Sequence, residues 1–176
     1  MVTAPAAGAA LMRRLLQAAA LGVQRQAVYT LAGYDAYTES GKRELVQLFG
    51  IARDLAGPPG TVHWRPTGQA LAALNAVAGG PASAAQCAGP ACAEITGLSF
   101  GGGARWALVS AAALPLRVAL PCSAALRLQG PEGALPDAVC TAGQAELLVP
   151  ARSWVTSAAL APATTALPQT RSIHAR

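Results

Sequence analysis

The chain has 176 residues, of which 53% are hydrophobic and only 12% charged, with a formal net charge of +5. A short, apolar chain of this kind excludes a long disordered tail and fits one compact core with no need of a second domain. Aromatic residues make up 5%, so the core is expected to rest on many small alanine side chains and few large anchors.

Residues 11–28 form the first predicted element. Placed on a helix, Leu11, Met12, Leu15, Leu16, Ala19, Val23 and Ala27 fall in one arc, with Arg13, Arg14, Gln17, Gln24 and Arg25 opposite. Tyr29, Gly33, Tyr34 and Tyr37 read as the turn that follows. A second helix has Thr38 as its cap, Leu45, Leu48, Phe49, Ala52 and Leu55 on one face, and Gly57, Pro58 and Pro59 as its stop. Residues 61–65, which include His63, Trp64 and Arg65, have strand character, and Thr67 is placed to cap a short helix over 68–78. Beyond Gly79, Gly80 and Pro81 the pattern changes to strand-length runs at 94–100, 104–110, 116–120, 125–129, 146–149 and 153–156. Arg117 and Arg127 alternate there with leucine and valine, the period-two signature of a half-buried antiparallel sheet. The fold class expected is α+β, with N-terminal amphipathic helices followed by a mainly antiparallel β-sheet. The expected divisions are residues 1–37 (amphipathic helix and aromatic turn), 38–156 (α+β globular domain) and 157–176 (irregular tail).

Cys87, Cys92, Cys122 and Cys140 carry the most chemical information. Four cysteines allow three pairings. The simplest is local, Cys87 with Cys92 and Cys122 with Cys140, because each pair closes a turn-rich excursion. Free buried thiols are the alternative. A metal site is disfavoured because the second pair is too widely spaced for a zinc knuckle and His63 and His174 are remote in sequence. Disulfides would place the chain outside a reducing cytosol and contribute about 2–4 kcal/mol each.

Signals for other chemistry are weak. Ala36 and Arg43 break the phosphate-loop pattern around Gly41 and Lys42, Gly101 to Gly103 lack the helix of a dinucleotide fingerprint, and no Gly-x-Ser-x-Gly elbow occurs. His63 could pair with Asp54 or Cys87 as base and nucleophile, but it reads more simply as a packed or solvent-facing strand residue beside Trp64. Trp106 and Trp154 read as core. No cofactor is expected. The arginines are scattered rather than clustered, which argues against specific nucleic-acid binding. The uncharged stretches 66–93 and 153–170 are broken by glycines and prolines, so no transmembrane span is expected. Residues 1–34 carry arginines and no acid, a composition shared with organellar transit peptides, and are read here as an ordered helix of the mature chain.

In architecture alone, the order of helix, sheet and late paired cysteines resembles the globular part of type IV pilin-like subunits, although Arg13, Arg14 and Arg25 stand where those subunits have an uninterrupted apolar helix. The uncharged, aperiodic segments 81–93 and 153–168 read as surfaces for a partner. The function expected is therefore a non-enzymatic structural or assembly subunit of a virion, filament or organellar particle, bound to other protein subunits as a homo- or hetero-oligomer and located outside the cytoplasm. The alternative is an extracytoplasmic, disulfide-stabilised binding module or small enzyme working through His63, Trp64 and Arg65.

Overall fold

The computed structural model describes residues 4–23, 26, 52, 64–85 and 90–160. The predicted second helix over 38–57 (apart from Ala52), the tyrosine turn, His63, Cys87 and His174 lie outside the described residues; Ala52 forms an isolated bridge with Trp64 rather than part of a described helix.

Helix α1 spans Ala4–Ala20 and, apart from Pro5 in its first turn and Gly8, is built of alanine, leucine, methionine, arginine and glutamine, all strong helix formers. It stops well short of the predicted residue 28 because Gly22 adopts φ 86°. The amide of Gly22 then donates to the Ala19 carbonyl and that of Val23 to the Ala18 carbonyl, both at 3.0 Å. This is the left-handed glycine stop that satisfies a helix's last carbonyls. Met12 and Leu16 are fully buried, as their arc predicts. Helix α2 spans Pro66–Val77. Pro66 opens it where a missing N–H costs nothing, and Arg65 rather than Thr67 occupies the cap position. Gly68, Ala70, Ala73, Leu74 and Val77 form its buried stripe. The two helices cross so closely that a Cβ on Gly8 would stand 2.5 Å from the Pro66 carbonyl oxygen.

Nine strands follow: β1 (Ala82–Ala84), β2 (Ile95–Phe100), β3 (Arg105–Ser110), β4 (Leu116–Pro121), β5 (Leu126–Gly130), β6 (Gly133–Ala138), β7 (Cys140–Thr141), β8 (Gln144–Val149) and β9 (Trp154–Ala159). A 3-10 turn, Pro90–Glu94, precedes β2. Among the described residues the strands make a six-stranded sheet in the order β1-β2-β3-β9-β5-β6 and a three-stranded sheet β4-β8-β7, and every pairing between them is antiparallel. The fold is α+β.

Cross-strand register sorts the side chains into two cores. Leu98, Phe100, Ala107, Val109 and Trp154 point to one face of the large sheet and pack against Ala9, Met12, Leu16, Ala70, Ala73, Leu74 and Val77 of the helices. Trp106, Leu108, Val155, Leu126 and Leu128 point to the other face and meet Val118, Leu120, Ala145, Leu147 and Val149 of the small sheet. The molecule thus has three layers: helices, large sheet, small sheet. The large sheet, as the middle layer, consumes apolar surface on both sides, which accounts for much of the high hydrophobic fraction. The uncharged run from Ser153, expected as a partner surface, instead supplies β9, a buried central strand.

Cys122, just past β4, is bonded to Cys140 in β7, as the local pairing predicts. Cys92 is also disulfide-bonded. Disulfides persist in oxidising compartments, and these bridges point toward one. Among the described residues no helix is long and apolar enough to cross a membrane.

Candidate functional site

The six-stranded sheet is wider than the three-stranded sheet that covers it. Near β1 and β2 this mismatch leaves a groove of about 520 Å³, within the usual size range of ligand sites. Its floor is a cross-strand row. Ser83 pairs with Ser99, Ser99 with Trp106, and Trp106 with Ser157, so the four side chains share one face on successive strands. The Ser83 and Ser99 hydroxyls are hydrogen-bonded at 2.7 Å. Trp106 is only 3% exposed, and its buried Nε1–H has no acceptor; the neighbouring buried Ser157 Oγ has no partner either.

One wall of the groove is the β2–β3 turn, where Gly101, Gly102 and Gly103 all adopt positive φ. A Cβ on Gly103 would lie 3.7 Å from Cζ2 of Trp106, so the indole edge that carries Cζ2 and Nε1 lies by this turn. The other wall is Pro121, Cys122 and Ser123. The Cys122–Cys140 disulfide ties that wall to the small sheet. Among the described residues no charged side chain lines the groove, and its polar groups are hydroxyls, an indole and backbone. Such a lining suits a neutral, hydroxyl-bearing ligand, because no charge would be left unpaired on binding.

Of the site residues expected from the sequence, His63 and Cys87 lie outside the described residues. Trp64 is half exposed, in an isolated bridge with Ala52, and Arg65 donates from Nε to the Ala52 carbonyl at 3.1 Å. Neither lines the groove. Among the described cysteines, Cys122 alone does. Ser83 and Ser99 were not legible as site residues, because only strand register brings them to Trp106.

The carboxylates Glu94, Glu132, Asp137 and Glu146 are all exposed. Glu146 stands 4.0 Å from Arg117 in a surface pair of the kind that contributes little. No cluster of metal-ligating residues occurs among the described residues.

No protein-family model matches the sequence, and no curated protein matches it. Solved structures do. A glycoside hydrolase family 30 subfamily 8 xylanase from Clostridium acetobutylicum superposes with a TM-score of 0.60 at 11% identity, covering 89% of this chain and 39% of that one. A family 39 glycoside hydrolase from Bacteroides cellulosilyticus superposes with a TM-score of 0.53 at 13% identity, covering 87% of this chain and 30% of that one. The chain thus shares the fold of part of each of these enzymes and spans less than two fifths of their length.

These likenesses overturn the expectation of a non-enzymatic assembly subunit, and with it the pilin-like outline. The fold is one found in glycoside hydrolases, and the apolar surplus that suggested an assembly surface is spent on two internal cores. Nothing in the fold favours a virion or filament surface.

Proposed function

We propose that the chain is the β-sandwich-bearing part of a polysaccharide-hydrolysing enzyme of the glycoside hydrolase kind, acting in an oxidising, extracytoplasmic setting. The observation that carries this reading is the three-layer arrangement, in which two helices pack on one face of a six-stranded sheet and a three-stranded sheet on the other, in the manner of the family 30 xylanase. Glycoside hydrolysis needs two carboxylates flanking the scissile bond, commonly about 5–5.5 Å apart in retaining enzymes. The exposed, dispersed carboxylates of the described residues do not suit that role, so the reaction's acid and nucleophile are assigned to residues outside them. The groove contributes by holding neutral sugar units through the Ser83 and Ser99 hydroxyls and the edge of Trp106.

Affinity electrophoresis in gels containing soluble xylan tests this, run beside a reducing-sugar assay and with soluble cellulose and dextran as comparison polymers. Xylan is expected to retard the chain more than dextran does, and the substitution Ser99→Val to weaken the retardation. Equal migration in all gels, together with no sugar release, would overturn the proposal.

A further inference from the structure

At the opposite end of β3 from the groove, a cavity of about 180 Å³ is lined by Ala6, Ala9, Ala10 and Arg13 of α1, by Ser110 and Ala111, and by Arg152 in the turn before β9. Two arginines, a half-buried Arg13 and an exposed Arg152, therefore border one small space whose other lining is alanine and a single serine. Among the described residues neither arginine has a carboxylate partner. Like charges sharing a partly enclosed site repel unless an anion lies between them.

Three details sharpen the point. The Arg13 Nε–H is buried and has no acceptor, a costly state for a charged donor. Arg152 is one of two non-glycine residues with positive φ among the described residues, at 49°. Its amide donates to the Ala112 carbonyl at 3.0 Å, and the Ala112 amide donates to Ser110 Oγ at 3.1 Å, so the turn that presents Arg152 is fixed by its own hydrogen bonds. Strain of this type persists where the surroundings hold it, often at a ligand site. Ser110 is 1% exposed, and with its oxygen accepting from Ala112 its O–H remains available to donate.

We infer that this cavity is an oxyanion site, taking a phosphate or a carboxylate group through Arg13, Arg152 and the Ser110 hydroxyl. A guanidinium matches the paired oxygens of either group in a forked geometry. The volume suits a single such group rather than a larger acid. This inference does not depend on the sugar-binding reading of the groove.

Isothermal titration of the whole chain at low ionic strength, with inorganic phosphate in one arm and acetate in the other against ionic-strength-matched chloride, tests it. Saturable binding of phosphate, acetate or both is expected, and the stronger arm identifies the class. Arg13→Gln and Arg152→Gln should each weaken it at least about tenfold, whereas Arg127→Gln, an exposed arginine on β5, should leave it unchanged. Because Arg13→Gln could disturb α1, the Arg13 Nε–H resonance of the unsubstituted chain provides a second reading, and it should shift along the same saturation curve. Heats no larger than those of chloride, an unmoved Arg13 resonance, or equal binding by folded Arg13→Gln and Arg152→Gln proteins would each overturn the inference.

Discussion

Arg105, the first residue of β3, donates from Nη2 to the carbonyl of Gly79 at 2.9 Å and so fastens the chain leaving α2 to the start of an interior strand. Its guanidinium also stands within reach of Gly101, where an added Cβ would lie 3.1 Å from Nη2. One side chain thus joins the helical layer, the loop before β1 and the glycine turn that walls the groove. A hydrogen bond from a charged donor contributes about 1.5–3 kcal/mol when its acceptor is otherwise buried. Arg105→Met, which keeps much of the stem, is expected to lower unfolding stability by about 1–2 kcal/mol. The urea midpoint, with an unchanged slope, measures it.

The crossing of the two helices has a single point of closest approach. A methyl group on Gly8 would meet the Pro66 carbonyl at 2.5 Å, a backbone atom that cannot swing aside. In open helix Gly→Ala would stabilise by about 0.5–1 kcal/mol. Here the sign reverses: Gly8→Ala is expected to destabilise by about 1–3 kcal/mol through overpacking, and Gly8→Val by more. Thermal unfolding of both variants gives the order.

Ser99 and Ser157 offer a matched pair of hydroxyls on one row of the sheet. Ser99 Oγ is bonded to Ser83, whereas Ser157 Oγ is buried with no partner. Ser99→Ala should therefore cost about 1 kcal/mol by breaking a hydrogen bond. Ser157→Ala should be neutral or slightly stabilising, because it removes a polar atom that is dehydrated without compensation. Denaturation curves that rank the two the other way would contradict the row as described.

The Cys122–Cys140 bridge spans a sequence separation of 18. Closing a loop of this length constrains the unfolded chain by roughly 3 kcal/mol. The double substitution Cys122→Ser, Cys140→Ser is expected to lose about that much, seen in guanidinium unfolding. It should also weaken xylan retardation beyond what the stability loss explains, since Cys122 and Ser123 form a wall of the groove.

Strand runs show in the sequence at 94–100, 104–110, 116–120, 125–129, 146–149 and 153–156, most plainly where one face is wet. β5 and β8 alternate buried and exposed residues throughout, and Arg127 and Glu146 mark the outer positions. β6 does not show, because Gly133, Pro136 and Asp137 read as turn; it tolerates proline as an edge strand, at a point where its register with β5 shifts. β1 is three small residues with little strand preference. β9 is legible as a strand but not as a central one, since burial on both faces erases alternation. The groove is hidden for a related reason: Ser83, Ser99 and Trp106 are distant in sequence, and no local pattern states which strands pair. The oxyanion cavity is hidden likewise, with Arg13 on a helix and Arg152 in a turn late in the chain.

The place of β9 has a kinetic consequence. It is the last described strand in sequence, yet it lies between β3 and β5 and hydrogen-bonds to both. Until residues 154–159 leave the ribosome, the large sheet exists only as separate hairpin halves with their inner edges bare. The chain must therefore hold those edges apart or shielded until β9 is made, and its sheet closes only when β9 docks between them.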